Sequence, residues 1–137
     1  MINKLIYITR KEQFSASHVL FNKNISKKKN KTIFDKCNNL HGHNYNLEVT
    51  IQGTPDPVTN YVFDVKKMKT IIYKNIIEKV DHKHLNDLKI LNGINPTAEN
   101  IVMEFWKILY PLLTSKNCTL YSIKLYETEK NIFEFRG

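Results

Sequence analysis

Cysteine is scarce in this chain of 137 residues, with Cys37 and Cys118 making up the whole set. Two thiols are too few for a disulfide scaffold, and no Cys-x-x-Cys pair suggests a ribbon-type zinc site. A reducing compartment is the expectation. Long apolar runs are also missing. The most apolar stretch, Ile101 to Leu113, is interrupted by Glu104 and Lys107 and is too short to cross a bilayer. Arg10, Lys11 and Glu12 arrive before any signal-peptide apolar region can be completed. The expected location is therefore cytoplasmic, with no membrane partner. Arginine is nearly absent: nineteen lysines stand beside two arginines and sixteen asparagines, a bias that fits an A/T-rich coding sequence.

What remains describes a folded domain. With 42% apolar and 11% aromatic residues, overall disorder is excluded. The length fits one domain over residues 1–137, and such a chain buries roughly 68–70% of its unfolded surface. The formal charge of +8 is densest at Ser26-Lys27-Lys28-Lys29-Asn30-Lys31. A basic surface steers anions, yet this run, read as a solvated loop, has only Phe21, Ile33 and Phe34 nearby and lacks the interleaved aromatics of a nucleic-acid interface. Nucleic acid is not an expected partner. A zinc-stabilised nucleic-acid-binding module is the non-enzymatic alternative.

Hydrophobic periodicity sets the order of elements. Leu47, Val49 and Ile51 alternate with Glu48, Thr50 and Gln52, predicting a half-buried strand from about Tyr45 to Gln52. An earlier strand is expected from Leu5 to Arg10, extending through Phe14 toward Leu20, and pairing antiparallel with the first across the Lys-rich connection. Asp64 is a predicted N-cap for a helix with a stripe of Val65, Met68, Ile71, Ile72, Ile76 and Val80. Thr97 caps a second helix, Glu99 sits in its first turn, and Ile101, Phe105, Ile108 and Leu112 are its expected inner face, widened by Val102, Trp106 and Leu109. Pro111 should end or kink it. A hairpin, Leu120–Glu127 and Ile132–Arg136, closes the chain. The resulting β-β-α-α-β-β order predicts an α+β domain: a four-stranded antiparallel sheet with two helices on one face. Its exposed edges favour pairing with a second copy.

Histidine carries the chemistry. His41-Gly42-His43 places two imidazoles on one side of a strand, and antiparallel pairing can bring His18 opposite them. Three imidazoles with a free fourth position are the donor set of a catalytic zinc site, though such histidines are also found on surfaces and in cores. Cys37, four residues before His41, is a candidate base or nucleophile if a cation lowers its pKa; it is equally a half-buried small hydrophobe or a metal ligand. Asp81-His82 reads either as an oriented proton donor and acceptor or as a helix terminus. His84 reads as an ordinary surface residue. Glu127, at a strand end, suits a guanidine-like edge or simply solvent.

Taken together, Phe14-Ser15-Ala16-Ser17-His18, Cys37-Asn38-Asn39-Leu40-His41-Gly42-His43-Asn44-Tyr45, Val80-Asp81-His82-Lys83-His84-Leu85-Asn86-Asp87, Asn95-Pro96-Thr97-Ala98-Glu99-Asn100 and Tyr126-Glu127-Thr128 closely resemble the 6-pyruvoyl- and 6-carboxy-tetrahydropterin synthase family. The resemblance runs in order along essentially the whole chain. It implies the tunnelling fold, in which subunits close a β-barrel with helices outside, typically as a homohexamer of two trimers. It places the zinc ligands at His18, His41 and His43, the catalytic cysteine at Cys37 and the Asp-His pair at Asp81 and His82. Glu127 becomes the pterin anchor, and Thr97 and Glu99 belong to the segment that helps hold the ring. The implied substrate is 7,8-dihydroneopterin triphosphate.

The family has two branches. The pyruvoyl branch keeps the side chain as a diketone, whereas the carboxy branch releases acetaldehyde on the way to queuosine. The compact Cys-x-x-x-His-Gly-His spacing with the Leu-Asn-Asp and Asn-Pro-Thr-x-Glu segments favours the carboxy branch. The long connection from His18 to Cys37 and the Tyr-Glu-Thr ending resemble the pyruvoyl branch. The expectation from sequence is 6-carboxy-tetrahydropterin synthase, with 6-pyruvoyl-tetrahydropterin synthase as the alternative.

Overall fold

The computed structural model describes residues 4–137. Strand β1 (Ile6–His18) pairs antiparallel with β2 (His41–Gly53) along its full length, from Ile6 opposite Gly53 to His18 opposite His41. Strand β4 (Cys118–Tyr126) lies on the other side of β2, with a register irregularity at Thr50/Ile51, and β5 (Ile132–Phe135) forms the far edge. The short β3 (Lys83–His84) runs parallel to the end of β1. The sheet is therefore five-stranded and mixed, in the order β3-β1-β2-β4-β5, rather than the four-stranded antiparallel sheet expected. Two residues are too few to show a period of two, so β3 leaves no pattern in the sequence.

Helix α1 (Lys27–Phe34) occupies the Lys-rich connection, where the sequence predicts a solvated loop. Lysine tolerates helical backbone well, and the Ser26 hydroxyl accepts from the Lys29 N–H at 3.1 Å as N-cap. What hid the helix is its lack of an apolar stripe: the one buried residue is Asn30. A 3-10 turn, Asp35–Asn38, leads from it to β2.

The Asp64 cap is as expected, its Oδ1 accepting from the Lys66 N–H at 2.9 Å. Helix α2 (Val65–Ile72) continues through a π-helical turn, Tyr73–Ile77, into α3 (Glu78–Val80). Its buried positions Met68, Ile72, Ile76 and Val80 recur every four residues. That spacing drifts around a regular helix of 3.6 residues per turn, and the widened turn absorbs the drift. Val65, expected in the stripe, is exposed.

Helix α4 (Ala98–Leu113) begins where Thr97 caps the Asn100 N–H at 3.2 Å. It does not stop at Pro111. A proline this near the C-terminus removes a single backbone donor, and the fully buried Leu113 holds the last turn against the core. The inner face is Ile101, Val102, Phe105, Leu109 and Leu113, whereas Leu112 is exposed.

The core lies between these helices and one face of the sheet, built from Phe14, Ala16, Tyr45, Leu47, Val49, Ile51, Leu120, Ile123 and Leu125. Phe105, at 0% exposure, meets Phe14 edge-on with ring centroids 6.1 Å apart. Phe105→Ala is expected to destabilise the fold by about 3–5 kcal/mol, because the emptied ring volume cannot be refilled. Urea unfolding of the two proteins measures it. No helix of the described residues is long and apolar enough to cross a membrane.

Candidate metal centre and active site

The β1/β2 register builds the site. His18 shares its face with Phe14 and Ala16, while His41 and His43 share theirs with Tyr45 and Leu47. All three imidazoles therefore stand at one end of the core-facing side. Ring centroids are 4.5 Å apart for His18–His41, 5.2 Å for His18–His43 and 5.1 Å for His41–His43. Their ligand nitrogens lie within 4.8 Å of one another, and an ion bonded at about 2 Å to nitrogen would draw them toward the roughly 3.4 Å separation of tetrahedral ligands.

The chemistry of the rings fits a cation. His18 Nδ1 lies 2.8 Å from the Pro96 carbonyl and His41 Nδ1 lies 2.7 Å from the Asn39 carbonyl. A carbonyl only accepts, so each Nδ1 carries the proton and each Nε2 keeps its lone pair. This outer-shell arrangement orients ligating histidines. The Nε2 atoms of His18 and His43 are buried and have no hydrogen-bond partner within the chain. Two such orphans together call for an occupant that accepts electron pairs. His18 is 0% exposed, and burial lowers its pKa to about 4, helped by the neighbouring imidazoles and only partly countered by the Pro96 carbonyl. Burial also lowers that of His43, against the opposing pull of Glu127. Neutral imidazoles are the form that binds metal.

Gly42 lets the two strands approach between the paired histidines. A Cβ there would lie 2.9 Å from the Ala16 carbonyl oxygen. Gly42→Ala is expected to cost about 1–3 kcal/mol as an overpacked contact and to weaken metal binding, since a backbone oxygen cannot swing aside. Thermal unfolding and metal titration of the variant test both effects.

Glu127 follows β4 immediately, with Oε1 4.0 Å from His43 Nε2. Because His43 stays neutral, the carboxylate keeps its acceptor capacity for a ligand. The buried Tyr45 lies beneath the cluster, its ring centroid 5.4 Å from that of His43. Its phenol is pushed above its usual pKa by burial and by Glu127, and remains protonated.

Cys37 is exposed on the 3-10 turn before β2, and its carbonyl accepts from the Leu20 N–H at 2.8 Å, two residues past His18. Asp81 and His82 stand outside the imidazole cluster. Asp81 Oδ1 accepts from the Ser15 N–H at 2.9 Å and lies 3.0 Å from His82 Nδ1. The Ser15 N–H and the His82 contact hold the Asp81 carboxyl below its ordinary pKa. His82 is 82% exposed, with a left-handed backbone at φ 59°. The Thr97 hydroxyl is occupied as the α4 cap and Glu99 is exposed, so this segment reaches the cluster through the neighbouring Pro96 carbonyl. His84, expected on the surface, is partly buried, with Nδ1 2.9 Å from the Ser17 hydroxyl.

Asparagines supply contacts that composition alone concealed. The segment after His18 has its backbone groups held by side chains. Val19 N–H donates to Asn86 Oδ1 at 2.9 Å, and its carbonyl accepts from Asn86 Nδ2 at 2.8 Å. The Leu20 carbonyl accepts from Asn38 Nδ2 at 3.0 Å, and Phe21 N–H donates to Asn95 Oδ1 at 3.0 Å. Asn22 pairs through both backbone groups with the buried Asn30, at 2.7 and 2.9 Å.

Three convergent imidazole nitrogens near a carboxylate, set at the end of a helix-backed sheet, define an α+β protein with a donor set suited to a cation. A family model described as 6-pyruvoyl tetrahydropterin synthase matches residues 7–137. The chain belongs to this family, as its motifs indicated. A 6-pyruvoyl tetrahydrobiopterin synthase from Dictyostelium discoideum is 39% identical over 137 residues, covering 99% of each chain. The solved structure of Caenorhabditis elegans 6-pyruvoyl tetrahydropterin synthase is similar at a TM-score of 0.89 and 32% identity, covering 100% of this chain and 99% of that one. A 6-carboxy-5,6,7,8-tetrahydropterin synthase from Rickettsia typhi is 32% identical over 148 residues, covering 95% of this chain and 99% of its own. These identities favour the pyruvoyl branch over the carboxy branch expected from the metal-loop spacing. The chain is an enzyme of the tetrahydropterin synthase family.

Proposed function

We propose that this chain is a zinc-dependent lyase that eliminates triphosphate from 7,8-dihydroneopterin triphosphate to form 6-pyruvoyl-tetrahydropterin. The observation that carries the reading is the set of unpartnered Nε2 atoms on His18 and His43, converging with His41 beside Glu127. The choice of branch rests on the higher identity to the Dictyostelium relative. Held by His18, His41 and His43, a zinc ion supplies Lewis acidity toward the hydroxyls of the substrate's side chain.

The chain's own groups do the rest. Glu127 accepts hydrogen bonds from the 2-amino and N3 positions of the pterin, a bidentate match for a carboxylate. Thr97 and Glu99 flank the segment that holds the ring. Cys37 removes a proton from the side chain, and His82, oriented by Asp81, moves the second. Because the His82 ring faces solvent in a single chain, its proton transfer is assigned to an assembled homo-oligomer, a hexamer of two trimers in the family's arrangement.

Incubating the metal-loaded protein with dihydroneopterin triphosphate tests the reading. Release of triphosphate without acetaldehyde is the expected result. Acetaldehyde would instead establish the carboxy branch, which the Cys37-to-His41 spacing favours, and no consumption of substrate would sink both.

A further inference from the structure

Lys27, Lys28 and Lys31 of α1 border a cavity of ≈ 560 Å³ whose remaining walls are Val19, Phe21 and Asn38. Val19 directly follows the metal-site residue His18, and Asn38 directly follows Cys37. The cavity is thus walled by the chain neighbours of two groups of the proposed reaction centre. Among the described residues, no carboxylate lies within ion-pair distance of these three lysines, and none lines the cavity. Lys27 and Lys31, and Lys28 and Lys31, are spaced to share a helix face, where like charges repel.

The lysines stand on a rigid base. Asn30 is 0% exposed, and its side chain ties α1 to Asn22 and to the Ser26 carbonyl. Asn86, Asn38 and Asn95 hold the adjoining segment from Val19 to Phe21. Three unpaired cations held beside the segments that follow His18 and Cys37 suit a ligand with several negative charges in a row.

We infer that Lys27, Lys28 and Lys31 form a subsite for an oligophosphate chain. On the function proposed above, on which this assignment to the substrate rests, that chain is the triphosphate that leaves. The probe is inorganic tripolyphosphate, titrated calorimetrically into the metal-loaded protein. The variants are the triple Lys27→Gln/Lys28→Gln/Lys31→Gln and a charge-matched triple on α2, Lys66→Gln/Lys67→Gln/Lys69→Gln. Glutamine keeps helix propensity close to that of lysine, so both fold, and metal content is checked in each.

The α1 triple is expected to weaken tripolyphosphate binding by about tenfold or more, through loss of charge-assisted contacts, and to raise substrate KM similarly with kcat little changed. The α2 triple should change either value by less than about twofold at physiological salt. Equal weakening in both triples, or none in the α1 triple, overturns the subsite. Displacement of tripolyphosphate by an RNA oligonucleotide of higher affinity overturns it in favour of a nucleic-acid face. If the pterin substrate is never consumed but tripolyphosphate affinity falls in the α1 triple alone, the subsite stands and the proposed reaction fails. Turnover with KM and tripolyphosphate affinity both unmoved keeps the reaction and removes the subsite.

Discussion

His18→Ala is expected to leave a folded protein that no longer holds a metal ion, with turnover lowered to background. His18 is the deepest of the three imidazoles and the one whose ring is locked from behind, by the Pro96 carbonyl. Removing it leaves two nitrogens, on His41 and His43, of the three that an open catalytic site uses. Metal content measured by plasma spectrometry should fall from about one ion per chain toward zero. The variant also empties a buried volume and strands the Pro96 carbonyl, at a cost of about 1–3 kcal/mol. A circular dichroism spectrum that retains its sheet signal separates metal loss from unfolding. Metal retained at full occupancy would show that the cluster is not the binding site.

Cys37→Ala should behave in the opposite way, keeping its metal while losing turnover by about 10²–10⁴-fold, the range for a missing acid–base group. Its side chain is exposed, and the contact that matters to the fold, Leu20 N–H to the Cys37 carbonyl, is made by the backbone and survives the substitution. Stability should stay within about 0.5 kcal/mol of the parent. The two variants together form a cross: one removes metal and activity, the other activity alone. Loss of metal from Cys37→Ala would make the thiol a ligand and close the coordination sphere, and the proposed proton removal by Cys37 would fail.

The convergence of the three imidazoles was legible from spacing. His41 and His43 share a face because strand side chains alternate, and His18 reaches them because the run from Leu5 toward Leu20 pairs with the strand after Cys37. Asp64 and Thr97 were identifiable as caps because a side-chain oxygen before an apolar helical pattern has few other local roles. The pattern misled where burial was not apolar. Helix α1 rests on Asn30, whose amide bonds look like any loop asparagine until the segment from Val19 to Asn22 is seen beside it. The α4 face shifted toward Leu113 because Pro111 costs little so near a helix end.

Local rules thus account for the element types, the caps and the pairing of the two long strands, since alternation, capping and helical period act over a few residues. Long-range placement answers to other forces. That the Pro96 carbonyl meets a ring 78 positions earlier, that Asn86 clamps Val19, that His82 turns outward, and that three lysines border the segment beside His18 all depend on where packed elements come to rest. Those contacts are set by the filling of one shared core, in which each element's position depends on all the others, and no window along the chain contains that information.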